Sequence, residues 1–270
     1  MSWAEALLLG VIQGLTEFLP VSSDGHLSAA ELLLPRFHQV GVLFDVMVHV
    51  GTLAAVVVYF RKALAEDVAG LFSADASRRS ASWRLTALVV AATVPTGIVG
   101  LLLKTTVETS KRDPRFVGAM EILTALFLTL SLFARKTGRD RSQTTLWDAL
   151  LIGTVQGLAV LPGLSRSATT IAFALLVGLG TEWAAKFSFY LLIPAVLGAT
   201  ILEIFAAGEE QGSAFFAGSD FAKYLFGAAV AGIVGYFAIG WLIRAVVARR
   251  LFWFALYCVL FGLALIYLFP

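Results

Sequence analysis

Two matching segments of the sequence indicate the fold of this chain. The first reads Gly10-Val11-Ile12-Gln13-Gly14-Leu15 and the second reads Gly153-Thr154-Val155-Gln156-Gly157-Leu158. A hydrophobic segment that is broken and then repeated is the strongest sequence indication of paired discontinuous helices in a membrane protein. We therefore predict a single membrane domain, residues 1–270, built from two inverted repeats at approximately 1–134 and 146–270.

Both segments run into a short polar interruption. The interruptions are Pro20-Val21-Ser22-Ser23-Asp24-Gly25-His26 and Pro162-Gly163-Leu164-Ser165-Arg166-Ser167, and Ser23 aligns with Ser165. The apolar halves on either side are shorter than the roughly 20 residues that a helix needs to cross the hydrocarbon core. Unwound backbone is tolerated at that depth only when it is buried in protein or lines a wet cavity. Regions 3–34 and 146–180 are therefore predicted to be re-entrant helical hairpins whose tips meet near the middle of the membrane.

The composition places the chain in lipid. Apolar residues make up 59% of it and charged residues 14%, whereas a soluble domain has about 25% charged residues. This balance excludes a soluble enzyme and a disordered protein, and Cys258, the single cysteine, excludes an intramolecular disulfide and a thiolate metal site. The predicted fold is an all-α polytopic membrane protein with two re-entrant helical hairpins in an inverted-topology repeat plus six transmembrane helices at 41–60, 84–103, 116–134, 185–206, 221–245 and 250–269.

The basic residues predict the orientation. Most Lys and Arg residues lie in loops that the predicted crossings place on one side, and such loops face the cytoplasm. Both termini then lie outside, and the hairpins enter from opposite faces. Because the basic residues cluster at the ends of apolar stretches, the net charge of +2 implies no nucleic acid partner. The loops Arg61–Trp83 and Ala207–Asp220 are predicted to be solvated connectors.

Four ionisable residues lie inside the predicted hairpins: Glu17, Asp24, His26 and Arg166. A charged side chain at this depth costs about 2.5–3.5 kcal/mol even on the lenient insertion scale, so their presence indicates a charged ligand. Gln13 and Glu17 are four residues apart and share one face of the first half-helix.

The polar interruptions suit an anion, because free N–H groups and the helix dipole favour negative charge where a helix begins. The Arg166 guanidinium can bind two phosphate oxygens at once. The predicted ligand-binding residues of the two hairpins, besides Gln13, are Ser22, Ser23, Asp24 and Gly25 in the first and Ser165, Arg166, Ser167 and Thr169 in the second.

This combination suits phosphoryl transfer. Glu17 and His26 can move protons while the donors neutralise phosphate charge. Ser23 is either a covalent nucleophile or only a hydrogen-bond donor to phosphate. A divalent cation, Mg²⁺ or Ca²⁺, that bridges Glu17 and Asp24 to phosphate oxygens would remove the repulsion between carboxylates and a diphosphate. We expect no fixed protein cage around it.

The same residues have structural interpretations. Glu17 can pair with Arg166 to hold the hairpins together. Asp24 can be an N-cap, and His26 can be a packing histidine.

Other polar residues are predicted to be structural. Asp45 and His49 are four apart and are expected to form a supporting pair at the start of the first full span. Snorkelling or capping accounts for four charged residues placed near segment ends, which are Glu121, Asp148, Lys186 and Glu203.

The sequence resembles a known family of membrane enzymes. Its signature segments are similar to those of the bacterial undecaprenyl-diphosphate phosphatases of the bacitracin-resistance type, and the similarity covers Gln13–Leu27, Phe44–Thr52, Pro162–Ser167 and Phe187–Pro194. The resemblance implies an inner-membrane enzyme that removes the terminal phosphate of the C55 polyprenyl diphosphate and regenerates the lipid carrier for peptidoglycan. It also implies a divalent-metal requirement and a site open to the periplasm. By motif position it implies that the essential glutamate, histidine, arginine and candidate nucleophile are Glu17, His26, Arg166 and Ser23.

Three positions depart from the family pattern. Gln13 stands where the family often has Glu, which weakens a two-glutamate metal site, and Asp24 replaces the usual Ser or Thr. Ala168 stands where Gly is common. A polyprenyl-phosphate flippase or another secondary transporter is the alternative function, because inverted repeats with broken helices are also transporter architecture. The oligomeric state is left open, with a homodimer as one possibility.

Overall fold

The computed structural model describes residues 1–33, 42–111, 113–134, 137–211 and 221–269. Within these ranges the chain forms helices and no β-strand. The helices are α1 (Trp3–Thr16), α2 (Ser23–Leu33), α3 (Val42–Tyr59), α4 (Arg61–Leu71), α5 (Ala76–Leu102), α6 (Lys104–Ser110), α7 (Pro114–Leu132), α8 (Leu146–Leu158), α9 (Arg166–Leu176), α10 (Thr181–Gln211), α11 (Phe221–Val247) and α12 (Leu251–Leu268).

The long helices confirm the all-α polytopic class. In the described ranges, five helices are long and apolar enough to cross a membrane, and the number is six if the pair α3–α4, bent by 72°, forms one span. The predicted connector Arg61–Trp83 is largely exposed, as expected, but it is helical and not a loop, because α4 and the first turns of α5 occupy most of it. Local helix propensity outweighs the polarity of this segment. Residues 212–220 of the second predicted connector lie outside the described residues.

The predicted hairpins are pairs of short helices. Helices α1 and α2 have 14 and 11 residues, and α8 and α9 have 13 and 11, so no member is long enough to span alone. Each pair begins with a capping box, Ser2 with Glu5 in α1 and Thr145 with Asp148 in α8. The tip between α1 and α2 is buried in protein, as unwound backbone in a membrane requires. Re-entrant insertion itself stays a prediction.

The repeated glycines are packing positions. A Cβ on Gly10 or Gly14 would lie 2.6 Å from a backbone oxygen of α11. In the second hairpin, Gly153 packs against the backbone of α5 at Ala92 in the same way. Both first half-helices therefore approach a long helix at backbone distance. This correspondence supports the repeats, whose boundaries and inverted relation stay predictions.

The described part of the loop before α8 is fixed by charged hydrogen bonds. Arg139 binds the Asp148 carboxylate and donates to Val177 O at 2.9 Å. Asp148 also accepts from the Thr145 N–H at 2.7 Å in the capping box, so its predicted capping role is confirmed. Asp140 caps a short 3₁₀ turn over Arg141–Gln143. Hydrogen bonds, foremost from the Ser142 hydroxyl, lower the pKa of Asp140.

Candidate functional site

Glu17 lies at the centre of the polar cluster. It is the residue at which α1 ends, and its side chain is buried. The Gln13 amide, one turn earlier, donates from Nε2 to Glu17 Oε2 at 3.1 Å, as the four-residue spacing predicts. Gln13 Oε1 is buried with no hydrogen-bond partner in the described part of the chain, so this oxygen is available to a ligand.

Arg166 brings the second hairpin to the first. As the first residue of α9, it places Nη2 at 2.6 Å from Glu17 Oε1. A second contact between the tips runs from Ser167 Oγ to Leu19 O at 3.2 Å. The predicted Glu17–Arg166 ion pair therefore exists. It uses only part of the guanidinium, because Nη1 is buried and has no hydrogen-bond partner among the described residues.

Ser22 and Ser23 begin α2 in an unusual conformation. Ser22 has φ of 56°, a left-handed value that costs energy for a residue with a side chain and is typical of functional turns. Its hydroxyl accepts a hydrogen bond from the Gly25 N–H at 3.4 Å. The turn directs Ser23 toward α1, where Ser23 Oγ donates to Glu17 Oε2 at 2.8 Å. The residue that caps α2 is therefore Ser22 and not Asp24.

The second tip is stabilised by its own hydroxyl groups. Ser165 caps α9 by accepting from the Ala168 N–H at 3.3 Å, and its own N–H donates to Thr124 Oγ1 at 3.0 Å. Thr169 Oγ1 donates back to Ser165 O at 2.8 Å. Ser165 is thus the structural counterpart of Ser22, one position away from the alignment with Ser23. Ser165 and Thr169 hold the turn that presents Arg166.

His26 does not contact Glu17. Its Nδ1 donates to Ser22 O at 2.7 Å, and its Nε2 lies 2.6 Å from the Tyr257 hydroxyl. The ring also stacks on Phe261 with a centroid distance of 4.2 Å. The structure thus places His26 on the side of α2 that packs against α12, where it supports the strained Ser22 turn.

His49 is the imidazole next to Glu17. Its Nε2 lies 3.7 Å from Glu17 Oε2. Its Nδ1 donates to the main-chain oxygen of Asp45 at 2.7 Å, which fixes the tautomer and directs Nε2 toward the site. The Asp45 carboxylate pairs with Lys111 at 3.5 Å. The expected Asp45–His49 contact therefore exists through the backbone, while the contact to Glu17 was missed because it joins two helices.

Asp24 lies at the edge of this cluster. It is half-buried on the first turn of α2 and acts electrostatically on Asp45 and His49. Within the described ranges, no three His, Cys, Asp or Glu side chains converge in a metal-binding arrangement. Glu17 and Asp24 stay the predicted metal ligands; both Glu17 oxygens accept hydrogen bonds from Arg166, Gln13 or Ser23, and the unpartnered oxygen beside them is Gln13 Oε1. Hard oxygen ligands of this kind suit Mg²⁺ or Ca²⁺ when phosphate completes the coordination.

The residues predicted near segment ends have different outcomes. Lys186 lies over the ring of Tyr190, 5.7 Å from its centroid. Glu203 is exposed on α10. For Glu121 the prediction of snorkelling or capping is wrong, because its side chain is fully buried in α7.

The single cysteine, Cys258, is buried in the protein core. Its thiol donates to Pro20 O at 3.4 Å and so packs against the first tip.

The chain is a polytopic α-helical membrane protein with a buried, charged site where two pairs of short helices meet. Residues 6–264 match the family described as Bacitracin resistance protein BacA. The chain belongs to this family.

Curated relatives are similar in sequence to nearly the whole chain. An undecaprenyl-diphosphatase of Syntrophotalea carbinolica is 41% identical over 97% of this chain and 97% of its own length. One of Carboxydothermus hydrogenoformans is 38% identical over 99% and 98%. One of Treponema denticola is 39% identical over 98% and 97%.

Proposed function

We propose that this protein hydrolyses undecaprenyl diphosphate to undecaprenyl monophosphate and inorganic phosphate. This reaction recycles the lipid carrier for peptidoglycan synthesis and confers resistance to bacitracin. The observation that carries the proposal is the Glu17 carboxylate, which is held between the Arg166 guanidinium and the Ser23 hydroxyl where the two tips meet. The names of the relatives support the substrate.

The diphosphate is bound by the charges and dipoles of both tips. Arg166 Nη1 has no partner among the described residues, and it can take a phosphate oxygen while Nη2 stays on Glu17. The first turns of α2 and α9 add N–H groups and the positive ends of two helix dipoles. Hydrogen bonds within and between the tips hold these turns; they involve Ser22, Gly25, Ser165, Ser167 and Thr169. Gln13 holds Glu17 from α1. The negative charge of the substrate is thereby spread over donors from both hairpins.

Ser23 is the nucleophile in this proposal. Glu17 Oε2 accepts the Ser23 proton as Oγ attacks the terminal phosphorus, and the bond to the bridging oxygen breaks to release the lipid monophosphate. Water then hydrolyses the phosphoserine and releases inorganic phosphate. The hydrogen bond of 2.8 Å from Ser23 to Glu17 is the geometry expected of a nucleophile and its base. The other route, in which water attacks directly and Ser23 only donates to phosphate, differs by forming no phosphoserine.

A divalent cation, Mg²⁺ or Ca²⁺, would be held by Glu17 and Asp24 together with phosphate oxygens, and Gln13 Oε1 lies beside Glu17 to assist. When bound, it would supply positive charge to the diphosphate and its leaving group. The chain itself holds the base in place through Arg166 and the nucleophile through its hydrogen bond to Glu17.

The proposed location is a bacterial plasma membrane, with both termini and the mouth of the site on the periplasmic side. The partners are the polyprenyl diphosphate substrate and surrounding lipids, with no nucleic acid. A homodimer stays an untested prediction.

Proteoliposomes test this proposal against lipid flipping. Purified protein is reconstituted with undecaprenyl diphosphate, and phosphate release and lipid translocation are measured with Mg²⁺ and with EDTA. We expect phosphate release that EDTA abolishes and added Mg²⁺ restores. Translocation with no phosphate release in either condition would contradict the enzymatic proposal and favour the flippase. Phosphate release that EDTA leaves unchanged would contradict the metal requirement alone.

A further inference from the structure

Glu121 is a buried carboxyl group that the proposed reaction does not use. It lies in α7 with 0% of its surface exposed. Neither side-chain oxygen has a hydrogen-bond partner among the described residues. An ionised carboxylate with no donor or cation is strongly disfavoured in an apolar interior, and such a group takes up a proton instead. The surroundings of Glu121 therefore favour its neutral, protonated form.

The groups facing Glu121 come from two neighbouring helices. From α12 they are the Cys258 thiol, a weak donor whose one proton goes to Pro20 O, and the Tyr257 hydroxyl, and neither of them is a cation. From α2, Gly25 faces Glu121, and an added Cβ there would lie 2.8 Å from Glu121 Oε1. The titratable group of the same turn, His26, contacts Ser22 O and the Tyr257 hydroxyl instead. The charged group of α9, Arg166, points to Glu17 instead. Glu121 thus lies directly behind the first turn of α2 and has no compensating cation in the described site.

We propose that Glu121 holds a proton at neutral pH and that this proton keeps the first turn of α2 receptive to phosphate. Loss of the proton would place a negative charge against Gly25, two residues from the Ser23 nucleophile, in an interior where charges interact strongly. That charge repels a phosphate bound at the same turn. By linkage, bound phosphate stabilises the proton on Glu121 to the same extent. Glu121 is therefore a positioning residue that acts through α2, and the inference rests on the proposed function.

Infrared spectroscopy of the full-length protein measures the proton directly. We expect a carboxylic-acid C=O band at neutral pH that is absent from Glu121→Gln. Glu17→Gln is the matched control and should keep the band, because Glu17 is paired with Arg166. If Glu121→Gln does not fold, Glu121→Asp serves, since it should shift the band. A band that neither Glu121 variant alters would overturn the proposal.

Two measurements test whether phosphate binding is coupled to the proton on Glu121: the infrared band of the wild-type protein and the pH dependence of KM. Inorganic phosphate should raise the pH at which the Glu121 band disappears. Over the same alkaline range, KM of the wild type should rise about tenfold while KM of Glu121→Gln stays constant, with kcat similar in both. Identical pH profiles of KM, or a band that phosphate does not shift, would overturn the coupling. If no variant releases phosphate at any pH, the proposed function fails, whereas the infrared result on Glu121 stands by itself.

Discussion

Arg166 and Glu17, 149 residues apart in sequence, meet at 2.6 Å where the tips of the two hairpins touch. Each hairpin supplies one charge, so neither half of the chain contains this ion pair alone. Removing one member of a buried pair leaves the other uncompensated, which costs about 3–5 kcal/mol. The same ion pair therefore stabilises the contact between the two hairpins and places Arg166 beside Glu17 in the site.

Arg166→Lys separates the two roles of this residue. Lysine keeps the charge for Glu17 but lacks the second guanidinium nitrogen that is free for phosphate. We expect kcat/KM for phosphate release to fall about 10²-fold with little change in thermal unfolding in detergent. Arg166→Ala should also destabilise the protein, and exposed Arg61→Lys should do neither. Full activity of Arg166→Lys would contradict the phosphate-binding role.

Ser23→Ala tests the identity of the nucleophile. Loss of the attacking hydroxyl should lower phosphate release about 10³-fold, while Ser28→Ala, five residues further along α2, should be near wild type. Rapid acid quenching of the wild type with substrate labelled in the terminal phosphate should trap label on Ser23. Phosphate release near the wild-type rate by Ser23→Ala, without trapped label, would show that water attacks directly.

His26 is expected to act by holding Ser22 in place. An asparagine amide can replace the Nδ1 donor to Ser22 O, so His26→Asn should keep activity within about threefold. His26→Ala loses the hydrogen bond and should lower kcat about tenfold, in line with about 0.5–1.5 kcal/mol for such a bond. Equal losses in both variants, far beyond tenfold, would instead assign proton transfer to the imidazole, as the family resemblance implies.

Close helix contact at glycine is a test of the fold. A Cβ on Gly51 of α3 would collide with the backbone of Ala228 in α11, so Gly51→Ala should cost about 1–3 kcal/mol in the free energy of unfolding. Gly97, in α5, has open space at the Cβ position, and Gly97→Ala should be tolerated. Equal thermal unfolding of the two variants in detergent would contradict the α3–α11 packing.

Local patterns in the sequence were sufficient to predict part of this structure. The four-residue spacing of Gln13 and Glu17 predicts that they share one helix face, and the predicted meeting of the two tips makes a Glu17–Arg166 pair one of the structural interpretations. Hydropathy predicts the spanning helices because each must satisfy its backbone hydrogen bonds internally.

Contacts between distant helices could not be predicted in this way. The sequence places Glu17 and His26 in the same hairpin as two proton-transfer groups, whereas the turn at Ser22 directs His26 to Tyr257 on α12. The imidazole beside Glu17 is His49, which α3 supplies. Glu121 was assigned to a helix end because its burial depends on α2 and α12, which pack around it. Nothing in its own sequence neighbourhood indicates those partners.

Phosphate release by Glu17→Gln tests directly whether Glu17 is the base that takes the Ser23 proton. The amide keeps the size of the side chain but cannot accept the Ser23 proton or pair with Arg166. We expect Glu17→Gln to lower phosphate release from undecaprenyl diphosphate about 10³-fold or more, while Glu108→Gln, at an exposed position on α6, has no effect. Folded Glu17→Gln protein that releases phosphate at the wild-type rate would show that Glu17 is not the base of the reaction.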